Sequence, residues 1–95
     1  MARTQPGDPF VWYGVALEYR SLGRIDDAEV TFRKLMGEFP DYVAAYLMAA
    51  QLFVQQGKVA DAREALHLGI ETAIRKNNAH ARGEMEALLA ELGGA

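Results

Sequence analysis

Few residues of this chain could act as metal ligands or catalytic groups, and their spacing suits neither role. The two histidines, His67 and His80, fall on different predicted helices and lack the spacing that places two imidazole ligands on one helix face. No cysteine is present, which excludes disulfides, a thiol nucleophile and any thiolate metal site. We therefore expect no metal, no cofactor and no catalytic residue.

The carboxylates have simpler interpretations than acid–base catalysis. Asp26 and Asp27 open a predicted helix, where negative charge is favoured by the positive end of the helix dipole. Glu84, Glu86 and Glu91 form the polar side of the last predicted helix, which we interpret as a solvated face. The sequence therefore predicts a protein that is not an enzyme.

Composition and charge argue against two further classes of function, nucleic-acid binding and membrane insertion. The 95 residues suit one small domain, 51 % of them are hydrophobic, and the net charge is −3 with scattered basic residues. A nucleic-acid surface needs concentrated positive charge, so we expect no nucleic-acid partner. No apolar stretch approaches the roughly 18 residues of a membrane span, and the N-terminus lacks the apolar core of a signal peptide. We therefore predict a cytoplasmic protein with no membrane insertion.

Periodic apolar residues, together with the capping and helix-breaking residues that flank them, predict five helices and no strand. Breaks are expected at Gly23, Pro40, Gly57 and Asn77-Asn78, and Asp8 and Asp41 are expected to cap the first and third helices. Residues 1–8 are expected to be a flexible lead-in. The predicted helices span residues 9–22, 25–38, 42–56, 59–76 and 79–92.

The arrangement of apolar residues repeats after 34 positions. A period of that length is typical of stacked helix hairpins. The first copy reads Trp12-x-x-Val15-Ala16-x-x-Tyr19 and then Ala28-x-x-x-Phe32. The second reads Tyr46-x-x-Ala49-Ala50-x-x-Phe53 and then Ala62-x-x-x-Leu66. Residues 12, 15, 16 and 19 share one helix face, which we expect to be the core face.

This pattern, closed in the first copy by Pro40, resembles the tetratricopeptide repeat. The resemblance is carried by residues 9–76, and the second copy lacks the closing proline because Ile74 stands there. It implies an all-α fold of antiparallel helix-hairpin repeats, an α-solenoid. One domain, residues 9–92, would hold repeats at 9–42 and 43–76 and a capping helix at 79–92. It also suggests a small bacterial-type two-repeat protein or a fragment of a longer array.

A second apolar stripe lies about 120° around the first helix from the predicted core face. In tetratricopeptide proteins the first helix of each repeat lines a groove that receives peptides, so the resemblance makes this stripe a candidate partner-binding groove. Simple packing between neighbouring repeats is the alternative interpretation. By position, the candidate groove residues are Phe10, Tyr13, Leu17, Arg20, Leu47, Met48, Gln51 and Val54.

The resemblance also indicates which partner to expect. Family members that hold acidic chaperone C-termini use Lys and Asn at set groove positions, which here are Tyr13, Leu17 and Met48. An apolar groove suits an apolar or amphipathic segment instead. The sequence therefore predicts a protein–protein interaction scaffold that binds a peptide or helix segment of a partner. The alternatives are a self-associating homodimer and a piece of a longer array.

Overall fold

The computed structural model describes residues 7–93 and contains five helices in that range, with no strand among the described residues. The predicted all-α repeat fold is therefore confirmed. Of the predicted lead-in, residues 1–6 lie outside the described residues. The helices are α1 (Pro9–Ser21), α2 (Ile25–Glu38), α3 (Val43–Gln55), α4 (Val59–Arg75) and α5 (Ala79–Glu91).

The ends of the helices follow from local residue chemistry. Asp8 Oδ1 accepts a hydrogen bond from the Phe10 N–H at 3.0 Å, and Pro9 occupies the first helical position. Gly23 and Gly57 both have φ of 78°, the left-handed conformation that ends a helix at little cost only for glycine. The predicted breaks at these two glycines are confirmed.

The break between α4 and α5 uses asparagines in place of glycine. Asn77 adopts φ of 56°, which asparagine tolerates better than other side-chain-bearing residues. Asn78 then caps α5, because its Oδ1 accepts the Ala81 N–H at 3.0 Å. The pair thus ends one helix and starts the next.

The predicted cap of α3 by Asp41 is wrong. Helix α3 begins at Val43 after Tyr42, whose side chain makes no cap hydrogen bond. Asp41 stands one residue too early and is engaged elsewhere, since its Oδ1 accepts a hydrogen bond from Arg75 Nη1 at 3.0 Å. Asp41 therefore ties the α2–α3 turn to the end of α4.

The helices pack mainly against their neighbours in sequence, α1 on α2, α3 on α4 and α4 on α5, with α2 also against α3. Helices α3 and α5 touch as well, so they share one side of the stack. Small residues at the crossings allow this close packing. Ala16, Ala28, Ala50 and Ala62 are fully buried among the buried side chains of Phe32, Tyr46, Phe53 and Leu66.

The core face predicted for α1 is only partly correct. Val15 is 36 % exposed, and Trp12 and Tyr19 are only partly buried. The Trp12 and Tyr19 rings contact cations, with Lys34 Nζ of α2 lying 5.2 Å from the Trp12 ring centroid and Arg24 Cζ 5.0 Å from the Tyr19 ring centroid. No helix within residues 7–93 packs against the Val15 side of α1, which explains the difference.

A carboxylate of the first repeat joins the two repeats. Glu29 on α2 accepts hydrogen bonds from Lys58 Nζ at 2.8 Å, Gln56 Nε2 at 2.9 Å and Arg33 Nε at 2.7 Å. Its side chain is only 14 % exposed. These donors, Lys58 first, lower the pKa of Glu29 from 4.5 to about 2. The turn between α3 and α4 is thereby fixed to α2.

Candidate protein-binding groove

Two adjoining hollows run along α3 and together form what we call the groove. The first has a volume of about 290 Å³ and lies between α1, α3 and α5. The second, of about 310 Å³, lies between α3 and α5. Leu47 and Glu84 line both, so the hollows are continuous. The remaining lining residues are Tyr13, Val43, Ala44, Met48, Gln51, Asn78, His80, Ala81, Met85, Ala87, Leu88 and Glu91.

The α1 side of the groove is aromatic and carries one cation. The rings of Tyr13 and Tyr42 lie 5.4 Å apart at 60°, a tilted contact that fixes Tyr13 at the groove edge. Burial, reinforced by Tyr42, raises the pKa of the Tyr13 hydroxyl, which therefore stays neutral and can donate a hydrogen bond. Arg20 Nη1 donates to Met48 Sδ at 3.3 Å and holds a positive charge beside the groove floor.

The α5 side of the groove is acidic. His80, Glu84 and Glu91 share one face of α5 because they follow at spacings of four and seven residues. Met85, on the adjoining face, is fully buried and anchors the helix to the core. Glu84 Oε1 lies 3.6 Å from His80 Nε2, and no residue within 7–93 forms an ion pair with Glu91.

The structure brings some of the predicted groove residues together and separates others. Tyr13, Leu47, Met48 and Gln51 line the groove, and Arg20 reaches it through Met48. Leu17 is partly buried and packs against the core. Phe10 and Val54 line neither hollow, and 69 % of Phe10 is exposed.

The contribution of α5 to the groove was not predicted from the sequence. Glu84 and Glu91 were expected to be simply solvated, yet they form one side of the groove together with Ala87 and Leu88. Their spacing of seven residues places both on one helix face, and this could have indicated a shared surface. It was not used because the 34-residue shift matches Glu84 with the buried Ala50, so the repeat phase did not indicate a groove position there. Ala81 and Met85 of α5 line the first hollow as well.

A further hollow of about 350 Å³ lies at the turn before α3, lined by Pro9, Phe39, Pro40, Asp41 and Tyr42. Its only polar side chains are Tyr42, with one hydroxyl, and Asp41, whose carboxylate is paired with Arg75. The turn hollow therefore offers little polar specificity. The groove combines an apolar floor with the Gln51 amide, the Tyr13 hydroxyl and the Glu91 carboxylate, which form no side-chain hydrogen bond or ion pair within residues 7–93.

Residues 7–93 contain no group of three His, Asp or Glu side chains that could hold a metal ion. None of the five helices described is both long and apolar enough to cross a bilayer.

Comparison with known proteins agrees with the repeat pattern. The solution structure of a tetratricopeptide repeat domain protein from Salinibacter ruber is 26 % identical, with a TM-score of 0.89 over 96 % of this chain and 92 % of that one. A crystal structure of a tetratricopeptide repeat domain protein from Salinibacter ruber is also 26 % identical, with a TM-score of 0.87 over 92 % of this chain and 98 % of that one. No curated protein matches the sequence.

The sequence profile of the tetratricopeptide repeat matches residues 19–92. That match includes most of the first repeat, all of the second and α5. The period of the apolar residues, the stacked hairpins and the profile thus lead to one conclusion, that this chain belongs to the tetratricopeptide repeat family.

Proposed function

We propose that the groove binds an apolar or amphipathic segment of a partner protein. The tetratricopeptide fold is in general a protein–protein interaction module. The observation that supports a site on this side is the continuity of the two hollows, which extend along α3 from Val43 to Gln51. Leu47 and Met48 are partly exposed at the groove floor, and covering such side chains is favourable by about 25 cal/mol for each Å² of apolar surface.

The arrangement of polar groups supports a specific rather than a merely adhesive surface. Small ligand sites and peptide grooves combine an apolar floor with a few directed polar groups. Here the Tyr13 hydroxyl, the Gln51 amide and the Glu84 carboxylate surround Leu47. A bound segment would cover the floor with apolar side chains and satisfy these groups at the margins.

The test is selection from a displayed library of random 16-residue peptides, followed by affinity measurement against two charge-matched variants. Ala87 is exposed and lines the groove, whereas Ala90 is exposed and lines neither hollow. Ala87→Arg should weaken binding of the selected peptides at least tenfold, because it places a long charged side chain in the groove. Ala90→Arg should leave binding within about twofold.

Both alanines are exposed and helical, and arginine is a good helix former, so both variants should keep the wild-type circular dichroism spectrum. A library that yields only peptides insensitive to Ala87→Arg would contradict the proposal. Binding would then belong to another surface.

Self-association is the second candidate, and one observation favours it. Val15 and Leu22 lie on one side of α1, outside the groove, and Leu22 is 61 % exposed. A homodimer that uses this side should show a melting temperature that rises with protein concentration, and Val15→Lys should abolish that rise. Sedimentation equilibrium that shows a monomer across the micromolar range would contradict the dimer.

A further inference from the structure

We infer that the partner segment is an amphipathic helix with basic residues along one flank, and that this flank faces α5. The inference rests on the proposed groove and adds the chemistry and the shape of its occupant.

The glutamates of α5 differ in how their charge is balanced. Glu86, outside the groove, is paired with Arg82, whose Nε lies 3.0 Å from Glu86 Oε2. Glu84 and Glu91, both in the groove, have no Lys or Arg partner among residues 7–93. The contact of Glu84 with His80 adds positive charge only when the imidazole is protonated. The α5 side of the groove therefore carries uncompensated negative charge.

The opposite side of the groove has the opposite sign. Arg20 on α1 is held by Met48, and its charge lies beside the groove floor. A ligand in the groove would therefore lie between a cation on the α1 side and carboxylates on the α5 side. Complementary charge gives binding its orientation and its specificity more than its strength. A ligand with one basic flank would therefore bind with that flank facing α5.

The spacing of the two carboxylates favours a helical ligand. Glu84 and Glu91 are separated by seven helical residues, a rise of about 10.5 Å. Side chains on one face of an extended strand repeat about every 6.7 Å, so neither two nor four strand residues match this distance. Positions i and i+7 of a helix lying along α5 match it, and they share a face.

The experiment uses the full chain and three synthetic 18-residue helical peptides with an identical leucine stripe. The two flanking positions, seven residues apart, carry lysine, glutamine or glutamate. By fluorescence anisotropy at low salt, the lysine peptide should bind about 3- to 10-fold tighter than the glutamine peptide, and the glutamate peptide should bind weakest. This preference should shrink in about 0.5 M salt, because exposed charges are then screened.

Matched variants locate the preference. The double variant Glu84→Gln/Glu91→Gln should remove the preference for lysine, whereas Glu86→Gln, a charge loss outside the groove, should retain it. All three positions are exposed, so these variants should remain folded. Equal binding of the lysine and glutamate peptides would overturn the inference. A preference that Glu86→Gln reduces as much as the double variant would overturn it too, because the overall charge would then be the cause.

Different outcomes would contradict the proposed groove and the proposed charge preference. If Ala87→Arg abolishes binding but the peptides bind without regard to charge, the groove stands and the basic flank is wrong. If none of the three peptides binds, or if Ala87→Arg and Ala90→Arg behave alike, both proposals are overturned.

Discussion

Gly69 on α4 lies directly against Tyr46 on α3, with no room for a side chain between them. A Cβ atom placed on Gly69 would stand 2.5 Å from Tyr46 Cβ and would also collide with Met85 Sδ. Met85 belongs to α5, so the bare backbone of Gly69 lets three helices meet at one point. The same position of the first repeat, 34 residues earlier, holds the buried Leu35.

Gly69→Ala should therefore destabilise the protein, although alanine is the better helix former. Met85 can shift, but Tyr46 Cβ is fixed to the α3 backbone, so the helices must move apart. We expect a loss of roughly 1 to 3 kcal/mol in the free energy of unfolding. Urea unfolding followed by circular dichroism measures it.

Gly83→Ala on α5 is the matched control. A Cβ atom at Gly83 meets nothing within 4 Å, so only helix propensity should act and the variant should gain roughly 0.5 to 1 kcal/mol. Similar changes for both variants would show that the close approach at Gly69 has no energetic effect.

Stability should depend on pH through Glu29. Its pKa is lowered from 4.5 to about 2 in the folded protein, so folding favours the carboxylate. The stabilisation is fully present above about pH 4.5 and is lost as the pH falls through about 2. Because the Lys58 and Arg33 partners are half-exposed, solvent screening limits the contribution to roughly 1 to 2 kcal/mol.

The measurement is the difference in unfolding free energy between wild type and Glu29→Gln. It should be largest near pH 6 and should shrink as the pH falls toward about 2. Glu38→Gln, which removes a charge from an exposed pair with Lys34, should change stability by less than about 0.5 kcal/mol at pH 6. A Glu29→Gln difference that is constant with pH would show that the hydrogen bonds act independently of charge.

Arg63 should hold the end of α5. Its Nη2 donates to the backbone oxygen of Leu92 at 3.0 Å, which satisfies one of the carbonyls left open at the helix end. Arg63→Ala should cost roughly 1 to 3 kcal/mol. Hydrogen exchange should accelerate more in α5 than in α3. Arg82→Ala, which removes only an exposed pair with Glu86, should leave exchange in α5 nearly unchanged.

Asn77 gives a test of backbone conformation alone. With φ of 56° it stands in the left-handed region, so Asn77→Ala should cost roughly 1 to 2 kcal/mol. Asn77→Gly should stay within about 0.5 kcal/mol of wild type, because glycine accepts this conformation freely. A thermal melt of the two variants side by side decides the point. Equal melting temperatures would mean that the turn relaxes to another conformation.

Much of the fold could be predicted because the repeat supplies the same evidence twice. Gly23 and Gly57 mark equivalent helix ends, and Phe32 and Leu66 fill equivalent positions in the core. The wrong predictions concern residues whose positions depend on contacts with other elements, which a sequence pattern does not specify. Val15 fits a core face by period, but no helix in the described chain covers it. Asp41 fits a cap by residue type, yet Arg75 engages it.

The groove could be predicted only where the repeats place equivalent residues in it. Leu47 and Gln51 follow from the shift of α1 onto α3, whereas the same shift matches Glu84 with the buried Ala50 and Glu91 with Gly57 at a helix end. The steric role of Gly69 was equally hidden, because a glycine inside a helix does not reveal how close its neighbours come. Such features depend on three helices at once, and periodicity describes one helix at a time.

The order in which the helices pack also bears on how the chain reaches its native state. Each helix rests mainly on the next one in sequence, and α3 with α5 is the most extensive pairing that skips an intervening helix in the described part of the chain. Short loops between contacting elements mean that little chain entropy is lost before native contacts form. Proteins with such local contacts fold within microseconds to milliseconds. Because the structure is a linear stack, folding can begin at either hairpin and spread from there.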